Sequence, residues 1–588
     1  MNDTRIEQLE KVRHSFAHLL AAAVLVHFPD AKPTIGPATE NGFFYDFAFS
    51  EPPIQSDLKK IEKTMRSLLQ SWTSFERRVV SKEEALALFA DNPYKIELIN
   101  GIAEEGEEIT LYTSGEFTDL CKGGHVESID ELKSDAFKLT SISGSYWKAD
   151  ETNDSLTRIS GIAFETKEAL EEYKELLEDA KKRDHRKIGT EMDLYTFSDL
   201  VGAGLPLFTP KGTIIRNELQ NALVEFSKDF GMQPVTIPHI AKIDLYHKSG
   251  HAEKFGNELF KVVGHYGQEF VMKPVNCPHH TQIYASKPRS YRDLPVRYME
   301  STMQYRDEKP GEIGGLTRVR AITCDDGHIF CRPDQIKEEA KNIAEIIKRL
   351  YTSLGMYGDH WISLSVRDPL HPEKYIGTDE GWDEAEKMLV ELSDELELGA
   401  RRMEGEAALY GPKLDFMFKD SLGRERQLST IQIDFAMPSR FGLTYINESG
   451  DEETPVMIHR AILGSYERFL AILIEHFAGK FPVWLSPTQF VLVPISEAHR
   501  EETHRVAEEL DKAGIRVEIF DDNNSLGKRI RRAKLERIPY IGVIGDKEVE
   551  SHTVTVESRD TDSKEVLETE TFIKKLKEEI SSRKLKTS

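Results

Sequence analysis

The chain has 588 residues, and because a single hydrophobic core does not grow to that size, its length predicts roughly three to five domains. The net charge of −24 argues against a protein that binds nucleic acid with its whole surface, although it leaves room for local basic patches. Four cysteines are too few for a disulfide scaffold, no apolar run approaches the roughly 20 residues that cross a bilayer, and the first residues have no signal-peptide core, so we expect a cytoplasmic protein without a membrane segment.

The first segment, residues 1–165, mixes short helices with strands that are punctuated by glycine. Within it, the helical stretch VRHSFAHLL places His14 and His18 on one face, because residues four apart share a face of a helix. The stretch DLCKGGH gives Cys121 and His125 the same spacing. One such pair is most often a surface pair, whereas two pairs in one segment are a more specific signal.

Three further segments follow along the chain. Residues 166–187 are highly charged and lack glycine and proline, which predicts an exposed linker helix. From 188 to 482 the composition changes to strands, aromatic residues and arginine-bearing loops, which indicates a second domain. Residues 483–588 alternate apolar strands with helices, a pattern typical of a small α/β domain with a largely parallel core. Its basic run, Gly527 to Pro539, is by itself most simply a solvated helix face.

Arginine-bearing motifs follow one another in the middle segment. In MQYRDEKPGEIGGLTRVRA, Arg306 and Glu308 lie two residues apart, so on a strand they would share a face and point at one ligand. A glycine-rich loop and Arg318 follow, and ILGSYERF later sets small residues ahead of Arg468. Upstream, Pro238 ends a predicted strand after a long helix. Arginine is well suited to hold phosphate by two-point contact, although an isolated Arg-x-Glu is usually a surface ion pair.

A cysteine and two histidines form another candidate set. Cys277 lies in VNCPHH, His328 in DDGHIFC and His459 in VMIHRAIL. Their separations fall far outside zinc-finger patterns, so spacing alone gives no metal signal. Each of these residues, taken by itself, is best interpreted as a packed core residue.

The order of the motifs nevertheless resembles a known class. A helix and strand ending in proline, a strand–loop–strand with Arg-x-Glu, and a glycine-bearing turn before Glu-Arg resemble the three signature motifs of class II aminoacyl-tRNA synthetases. The stretches KPVNCPHH, DDGHIFC, LYGPKLDF, TIQIDFAMPSRF and MIHRAILGSYERF resemble the threonyl-tRNA synthetase family in particular. The resemblance implies an α+β multidomain homodimer in the cytoplasm. Its parts would be an editing domain (1–165), an antiparallel catalytic domain (188–482) and an anticodon-binding domain (483–588).

By this resemblance Cys277, His328 and His459 bind one Zn²⁺ per subunit. Two imidazoles and a thiolate leave a fourth position open, as in catalytic zinc sites. Threonine can fill it with its amine and hydroxyl. Valine has a methyl group in place of the hydroxyl, and a site built for a hydroxyl rejects such an isostere by a factor on the order of 10⁴ or more. His279 and His280 are interpreted as incidental neighbours of Cys277.

The resemblance also implies the reaction: ATP, with Mg²⁺ on its phosphates, activates L-threonine, and the threonyl group passes to tRNA(Thr). Arg306 would hold the α-phosphate, Glu308 would accept from the adenine amine, and Arg468 and Arg318 would hold the γ-phosphate. His251, in SGHAEKF, would help move the proton of the attacking ribose hydroxyl. The other residues implied are Lys413, Gln427 and Thr430 near the nucleotide, and Asp326, Tyr410 and Gln432 around the threonine.

A second site is needed because serine keeps the hydroxyl and lacks only a methyl group, a difference worth about 1–3 kcal/mol. The paired His and Cys residues of the first segment resemble the editing domain of bacterial-type threonyl-tRNA synthetases, which hydrolyses mischarged seryl-tRNA(Thr). The resemblance implies a site that works without metal, although tetrahedral zinc binding is chemically allowed. The residues it implies are His14, His18, Cys121, His125, Lys95, Asp119 and Tyr45.

The last segment resembles the anticodon-binding domain of this subclass, which reads single-stranded bases by edge contacts and stacking. Asn523 and Glu548 match base-reading positions, and the basic helix would meet the RNA backbone. Glu557 occupies a position that is usually arginine. Arg559 lies two residues further along a predicted strand, so it would keep the same face and substitute for that arginine.

The sequence departs from the family pattern elsewhere too. Bacterial members usually begin with a small ubiquitin-like domain, whereas here the editing-type helix starts almost at Met1. We expect that domain to be naturally absent, although a shortened sequence would look the same. Cys324 stands where a glutamine usually contacts the substrate region, and the loop KPGEIGGL lacks a histidine and a serine that are common there.

Two alternatives remain at the level of the sequence. One is a related class II synthetase for serine, proline or alanine, which the set of Cys277, His328 and His459 disfavours. The other is a synthetase-like paralogue that binds RNA without aminoacylation. Such proteins normally lose the ATP-binding arginines, whereas Arg306 and Arg468 are both present.

Overall fold

The computed structural model of the protein describes residues 2–150, 152–358, 360–420, 423–561 and 563–583. The chain divides into two units, Met1–Asp179 and Ala180–Ser588. Helices and mainly antiparallel sheets occur in both units, which confirms the α+β class expected from the sequence.

The first unit is built around a long helix, α1 (Asn2–His27). Its stretch from Phe16 to Val24 is buried throughout, as expected of a helix that is apolar on nearly every side. It shares one hydrophobic cluster with the sheet that contains Phe43 and Phe137. The other elements are β1 (Lys32–Pro33), β2 (Ala38–Thr39), β3 (Gly42–Ala48), α2 (Leu58–Leu69), β4 (Glu76–Val79), α3 (Lys82–Leu88), α4 (Pro93–Glu104), β5 (Thr110–Ser114), β6 (Phe117–Leu120), β7 (Phe137–Tyr146) and β8 (Ser155–Ala163).

These strands form two sheets. One has the order β1-β3-β8-β7 with β2 beside β3, and the other has the order β4-β5-β6. The next helix, α5 (Lys167–Arg183), lies where the sequence predicts an exposed linker helix, and Leu170 is its one buried residue among those described.

The second unit contains an eight-stranded sheet with the order β11-β15-β16-β23-β20-β19-β17-β18. Its pairs are antiparallel except for the first and the last. The strands of this part are β9 (Tyr195–Thr196), β10 (Leu207–Phe208), β11 (Gln233–Pro234), β12 (Ile240–Ala241), β13 (Lys261–Val263), β14 (Glu269–Met272), β15 (Val296–Tyr305), β16 (Ala321–Cys331), β17 (His360–Val366), β18 (Arg401–Glu404), β19 (Lys413–Lys419), β20 (Glu425–Asp434), β21 (Tyr445–Ile446), β22 (Glu452–Glu453) and β23 (Val456–Ala461).

Two helices of this part, α11 (Ile336–Ser353) and α14 (Tyr466–His476), contribute many residues to the main hydrophobic cluster beside the sheet. Strand alternation separates that cluster from the opposite face. On β16, Ile329 and Cys331 belong to the cluster, while Asp326 and His328 lie on the other face. The helices are α6 (His185–Glu191), α7 (Pro210–Lys228), α8 (Ile243–Ser249), α9 (His251–Phe255), α10 (Cys277–Ala285), α11 (Ile336–Ser353), α12 (Asp379–Glu395), α13 (Ala436–Phe441) and α14 (Tyr466–His476).

The end of the chain forms a five-stranded sheet with the order β25-β24-β26-β27-β28. β24 is parallel to β25 and β26, which confirms the predicted parallel core, and the other two strands continue the sheet antiparallel. The elements are β24 (Phe490–Pro494), α15 (Arg500–Lys512), β25 (Val517–Ile519), α16 (Leu526–Leu535), β26 (Tyr540–Ile544), α17 (Asp546–Ser551), β27 (Thr553–Ser558), β28 (Lys564–Glu568) and α18 (Thr569–Ser582).

Two expectations about strand ends are wrong. β15 ends at Tyr305, so Arg306 and Glu308 do not share a strand face but lie in the loop beyond it, where the N–H of Glu308 donates to the Arg306 carbonyl at 2.9 Å. β11 covers two residues, and Pro238 lies outside it. A proline has no N–H for a sheet ladder, so a Pro-rich segment such as QPVTIP stays short as a strand.

Candidate functional site

The eight-stranded sheet of the second unit, named the catalytic sheet below, and helix α10 together hold the cysteine and both histidines of the expected metal set. Cys277 is the first residue of α10, while His328 and His459 oppose each other on β16 and β23. Their ligand atoms lie within 4.8 Å of one another, and all three residues are buried. A thiol and two imidazoles at this spacing suit a tetrahedral metal ion with one open position.

Each imidazole of the set makes a polar contact through the ring nitrogen that faces away from the expected metal position. His459 Nε2 lies 2.9 Å from Asp434 Oδ2, which leaves Nδ1 facing His328 Nε2 at 3.1 Å. His328 Nδ1 lies 2.7 Å from Nδ1 of His280. The interpretation of His280 as incidental is therefore wrong. The signal was its spacing, because a residue three positions after Cys277 lies on the same face of α10.

The residues expected around the threonine border this set. Asp326 Oδ1 lies 3.7 Å from His328 Nε2, and the Tyr410 ring lies 4.7 Å from the His459 ring. Gln432 opposes His459 in the sheet register. The sequence therefore predicted a group of side chains that the fold does bring together around one space.

His251 stands beside the metal set. Its Nε2 lies 3.9 Å from Cys277 Sγ, and its Nδ1 lies 2.9 Å from Ser249 Oγ. Burial, with the neighbouring His459 and Lys254, lowers the pKa of His251 to about 3. The imidazole is therefore neutral near pH 7, and its surroundings disfavour the protonated form.

A cluster of arginines lies next to this space. Burial lowers the pKa of Arg468, and the positive charges of Arg426, Arg318 and Arg306 lower it further. The Arg306 guanidinium lies 4.9 Å from the centre of the Phe255 ring. Such a concentration of positive charge suits a polyphosphate.

Glu308 and Arg318, which the resemblance assigns to opposite ends of ATP, are paired with each other. Arg318 Nε donates to the Glu308 carboxylate at 2.7 Å, and its Nη2 also lies 2.7 Å from Glu312. In this arrangement Arg318 and Glu308 contact each other instead of the partners that the resemblance assigns to them.

The three remaining nucleotide residues share one partner that the sequence analysis missed, the buried carboxylate of Asp415. Its Oδ1 accepts from Gln427 Nε2 at 2.7 Å and from Thr430 Oγ1 at 2.8 Å. Its Oδ2 accepts from Lys413 Nζ at 2.6 Å and from Ser365 Oγ at 3.1 Å. The alternation of KLDF on β19 places Lys413 and Asp415 on one face, which is the signal that was available.

In the first unit, the expected editing residues form a second cluster. Cys121 Sγ lies 3.2 Å from His14 Nε2 and 3.4 Å from His125 Nε2. The His18 and His125 rings lie 4.4 Å apart. Burial lowers the pKa of all three histidines and raises the pKa of Cys121 to about 11, so these groups are neutral near pH 7. Ser15 Oγ, 3.1 Å from His125 Nδ1, is a further member that the sequence analysis missed.

A buried ion pair adjoins this cluster. Lys95 Nζ lies 2.5 Å from Asp119 Oδ1 and donates to the Tyr45 hydroxyl at 3.2 Å. The Tyr45 hydroxyl in turn donates to Asp119. Asp119 Oδ2 lies 3.9 Å from His18 Nε2, so the ion pair joins the histidine cluster. All seven predicted residues therefore meet in one site.

The expected base-reading residues of the last segment are less concentrated. Asn523 is exposed, whereas the Glu548 carboxylate accepts from Thr555 Oγ1 at 2.7 Å and from the Gly545 N–H at 2.9 Å. β27 ends at Ser558, so the shared strand face expected for Arg559 is not formed. Its guanidinium instead donates to the backbone carbonyls of Arg537 and Phe481.

One more group of metal-capable atoms is a hydrogen-bond network. His185 Nδ1 lies 2.7 Å from Glu475 Oε1, while its Nε2 accepts the Leu316 N–H at 3.3 Å. A neutral imidazole that accepts at Nε2 carries its proton on Nδ1 and donates it to the carboxylate. His185 therefore anchors the glycine-rich loop to α14 instead of offering a metal ligand.

The eight-stranded, mainly antiparallel sheet and the arginine cluster beside it together indicate a class II aminoacyl-tRNA synthetase. Residues 260–477 match the tRNA synthetase class II core domain (G, H, P, S and T), residues 489–579 match an anticodon binding domain, and residues 109–160 match the threonyl and alanyl tRNA synthetase second additional domain.

Comparison with similar proteins identifies the family within this class. A threonine–tRNA ligase from Porphyromonas gingivalis is 47% identical over 96% of this chain and 87% of its own length, and one from Staphylococcus aureus is 44% identical over 98% and 89%. A Cryptosporidium parvum threonyl-tRNA synthetase structure, described as its RNA binding domain, superposes with a TM-score of 0.64 at 35% identity, covering 69% of this chain and 99% of that one. The chain belongs to the threonine–tRNA ligase family. Across the described ranges, no helix is both long enough and apolar enough to cross a bilayer.

Proposed function

We propose that this chain attaches L-threonine to tRNA(Thr) through a threonyl-adenylate made from ATP, and that it hydrolyses mischarged seryl-tRNA(Thr). The observation that carries this proposal is the buried set of Cys277, His328 and His459 beside a cluster of arginines. A hydroxyl-sensing centre and a phosphate-binding surface are the two parts that selective activation of threonine requires.

The metal set fits one Zn²⁺ per subunit, because it offers one sulfur and two imidazole nitrogens in a buried place and both imidazoles are supported from behind. When bound, zinc supplies a Lewis-acidic position for the amine and hydroxyl of threonine. Asp326, Tyr410 and Gln432 surround the same space and orient the amino acid. Valine, without the hydroxyl, leaves that position unmet.

Activation relies on positioning and charge stabilisation. Arg306 holds the α-phosphate and Arg468 the γ-phosphate of ATP, which enters as its Mg²⁺ complex. Arg318 exchanges the Glu308 carboxylate for the γ-phosphate, and Glu308 is thereby free to accept from the adenine amine. Lys413, Gln427 and Thr430, aligned by their common partner, complete the nucleotide subsite. His251, whose imidazole is neutral, helps to move the proton of the tRNA ribose hydroxyl as that oxygen attacks the adenylate.

Editing takes place at the cluster of the first unit without a metal ion. The neutral imidazoles of His14 and His18 can hydrogen-bond the attacking water, while Lys95, Asp119 and Tyr45 hold the ester end of seryl-tRNA. The thiol of Cys121 is held between two imidazoles as a neutral hydrogen-bonding group.

We also propose the domain limits and the assembly. Residues 1–165 are the editing domain, 166–187 the linker, 188–482 the catalytic domain and 483–588 the anticodon-binding domain, and each of the three family matches lies within one of them. The enzyme works as a cytoplasmic homodimer. Asn523, Glu548 and the exposed side of α16 contact the anticodon region, with Arg559 at the edge of that surface.

A charging assay tests the two activities together. Wild type should charge threonine and reject valine, and it should release any serine that it attaches. A variant with His14→Ala and His18→Ala should keep threonine charging and accumulate seryl-tRNA(Thr). If the variant does not accumulate seryl-tRNA, the editing assignment fails.

The metal assignment has its own test. Cys277→Ala should lose bound zinc and lower threonine-dependent pyrophosphate exchange by on the order of 100-fold or more, because the hydroxyl-sensing position is lost. Cys331→Ala is the matched control, since Cys331 lies on the core face of the strand that carries His328. Full exchange activity in Cys277→Ala would contradict the assignment.

A further inference from the structure

His280 is buried between a member of the metal set and an acidic side chain. Its Nδ1 lies 2.7 Å from His328 Nδ1, and its Nε2 lies 3.6 Å from Glu300 Oε2. Within the described residues, His280 Nε2 and Glu300 Oε2 have no hydrogen-bond partner. The other oxygen of Glu300 accepts the Ile237 N–H at 3.0 Å, which turns Oε2 toward His280. Two unsatisfied polar atoms that face each other in a core call for an explanation.

Metal binding at His328 fixes the direction of every hydrogen bond in this row. A ligating nitrogen carries no proton, so a neutral His328 that presents Nε2 to a metal ion keeps its proton on Nδ1. That proton is donated to Nδ1 of His280. His280 then accepts at Nδ1, carries its own proton on Nε2 and donates it toward Glu300.

The second imidazole of the set has the same kind of support in a shorter form. His459 Nε2 lies 2.9 Å from the Asp434 carboxylate, so Nδ1 is its metal-facing nitrogen. His459 therefore contacts a carboxylate directly, and His328 is connected to one through His280.

We propose that His280 and Glu300 form a row of polar side chains that fixes the metal-binding tautomer and the ring orientation of His328, with Glu300 placed to accept the proton of His280 Nε2. They are positioning residues, and the inference rests on the proposed zinc centre. Outer partners of this kind typically contribute about 10–100-fold to metal affinity.

The test measures zinc affinity of the full chain by competition with a chromophoric chelator, and ligand geometry by the absorption spectrum of the Co²⁺-substituted protein. Glu300→Gln keeps the side-chain shape but has one acceptor oxygen for two donors, the Ile237 N–H and His280 Nε2, so one of them faces the amide NH2 group. His280→Phe removes both ring nitrogens. Each variant should weaken zinc binding by about 10–100-fold and alter the Co²⁺ spectrum.

His279→Phe is the matched control. His279 is the preceding residue of α10, and within the described residues neither of its ring nitrogens has a hydrogen-bond partner. Its zinc affinity should stay within about twofold of wild type, since it supports no ligand.

The outcomes separate this inference from the proposed function. If Glu300→Gln and His280→Phe bind zinc as wild type does while Cys277→Ala loses it, the row is overturned and the zinc centre stands. If Cys277→Ala also binds zinc normally, the centre itself fails, and the row with it. If circular dichroism shows His280→Phe to be misfolded, the near-isosteric Glu300→Gln decides.

Discussion

At the scale of single residues, Asp415 shows how one buried carboxylate can set the geometry of a whole subsite. It accepts hydrogen bonds from Lys413, Gln427 and Thr430, which approach it from two neighbouring strands. Three side chains that would contact one nucleotide are thus fixed before the nucleotide arrives. Such preorganisation lowers the entropy that ATP binding would otherwise cost.

We therefore expect Asp415→Asn to weaken ATP binding selectively. The amide group turns one acceptor into a donor, so either the ammonium group of Lys413 or the donors of Gln427 and Thr430 lose their partner. Loss of a charge-assisted hydrogen bond costs about 1.5–3 kcal/mol, which corresponds to a rise in KM for ATP of at least about tenfold. Pyrophosphate exchange at varied ATP and varied threonine measures the effect, and KM for threonine should change little.

Ser363→Ala provides the control for this prediction. Ser363 Oγ lies 3.0 Å from Ser365 Oγ and so stands one hydrogen bond further from Asp415. It should leave KM for ATP close to that of wild type. Equal changes in KM for ATP and for threonine in Asp415→Asn would indicate a general loss of structure.

At the scale of elements, periodicity predicted what lies inside a helix or strand better than where it ends. The four-residue spacing of His14 and His18 correctly placed both on one face of α1, because that spacing depends on helix geometry alone. The strand arguments for Arg306 and Arg559 failed because β15 and β27 end before these residues. Each of these residues still donates one backbone hydrogen bond toward the neighbouring strand, Arg306 to the Arg320 carbonyl at 3.0 Å and Arg559 to the Pro539 carbonyl at 2.8 Å, but the regular strand pairing stops before them. A single sequence does not contain the register of the neighbouring strand.

The sequence also did not reveal most of the residues that act on a site only by holding another residue. Glu300 and Ser15 belong to no motif with a recognisable spacing to the residues they contact, and they meet those residues only through the fold. Asp415 meets Gln427 and Thr430 through sheet pairing, although its two-residue spacing to Lys413 was visible in the sequence. His280 was within reach of helix periodicity, but the sequence did not show that α10 begins at Cys277. The site residues themselves came from family motifs, and their grouping in space is what the fold adds.

The histidine cluster of the first unit should make the stability of the protein depend on pH. Burial lowers the pKa of His14, His18 and His125, so the native state stays unprotonated where the unfolded chain takes up protons. Unfolding therefore binds protons below the usual histidine pKa of about 6.5. The free energy of unfolding should fall there by up to roughly 1.4 kcal/mol per pH unit for each histidine, and it should be recovered above that pH.

Calorimetric Tm values at pH 7.0 and at pH 5.5 measure this dependence. Wild type should lose Tm on acidification, and a variant with His14→Gln and His18→Gln should lose less, because two of the groups that bind protons on unfolding are gone. Other buried histidines contribute equally to both proteins and cancel in the difference. Identical losses of Tm would show that these imidazoles are not held neutral by the fold.

At the scale of the whole second unit, α7 connects the C-terminal sheet to the catalytic one. Charged residues seven apart on α7 lie along one side of the helix and pair with the C-terminal part of the chain. The pairs are Lys211 with Glu536 at 2.8 Å, Glu218 with Arg516 at 3.1 Å and Glu225 with Arg583 at 2.9 Å. On the same helix, Arg216 Nη2 donates at 2.8 Å to Thr323 Oγ1 of β16, the strand that also carries Asp326. One rigid element thus contacts both the anticodon-binding domain and the active-site strand.

Arg516 belongs to the contact between α7 and the C-terminal part of the chain, which we call the seam. Its loss should lower tRNA charging without lowering amino acid activation. Its guanidinium donates to the carbonyl of Trp484 at 2.7 Å, to that of Ser486 at 2.9 Å and to Glu218 at 3.1 Å. Arg516→Ala leaves these acceptors without a donor, at a cost of about 1–3 kcal/mol, and loosens the C-terminal domain against α7. The proposed threonine and ATP subsites lie within the catalytic sheet, so pyrophosphate exchange should stay close to wild type, whereas kcat/KM for tRNA(Thr) should fall by about tenfold.

Arg505→Ala is the matched control for Arg516→Ala, because Arg505 pairs with Glu502 and Glu509 of its own helix at the surface. Exposed pairs of this kind contribute about 0–1 kcal/mol, so both activities should be retained. Equal losses of exchange and charging in Arg516→Ala would mean that the seam supports the catalytic fold as a whole. Loss of charging alone would mean that α7 carries the position of the anticodon-binding domain to the site where the ribose hydroxyl must meet the adenylate.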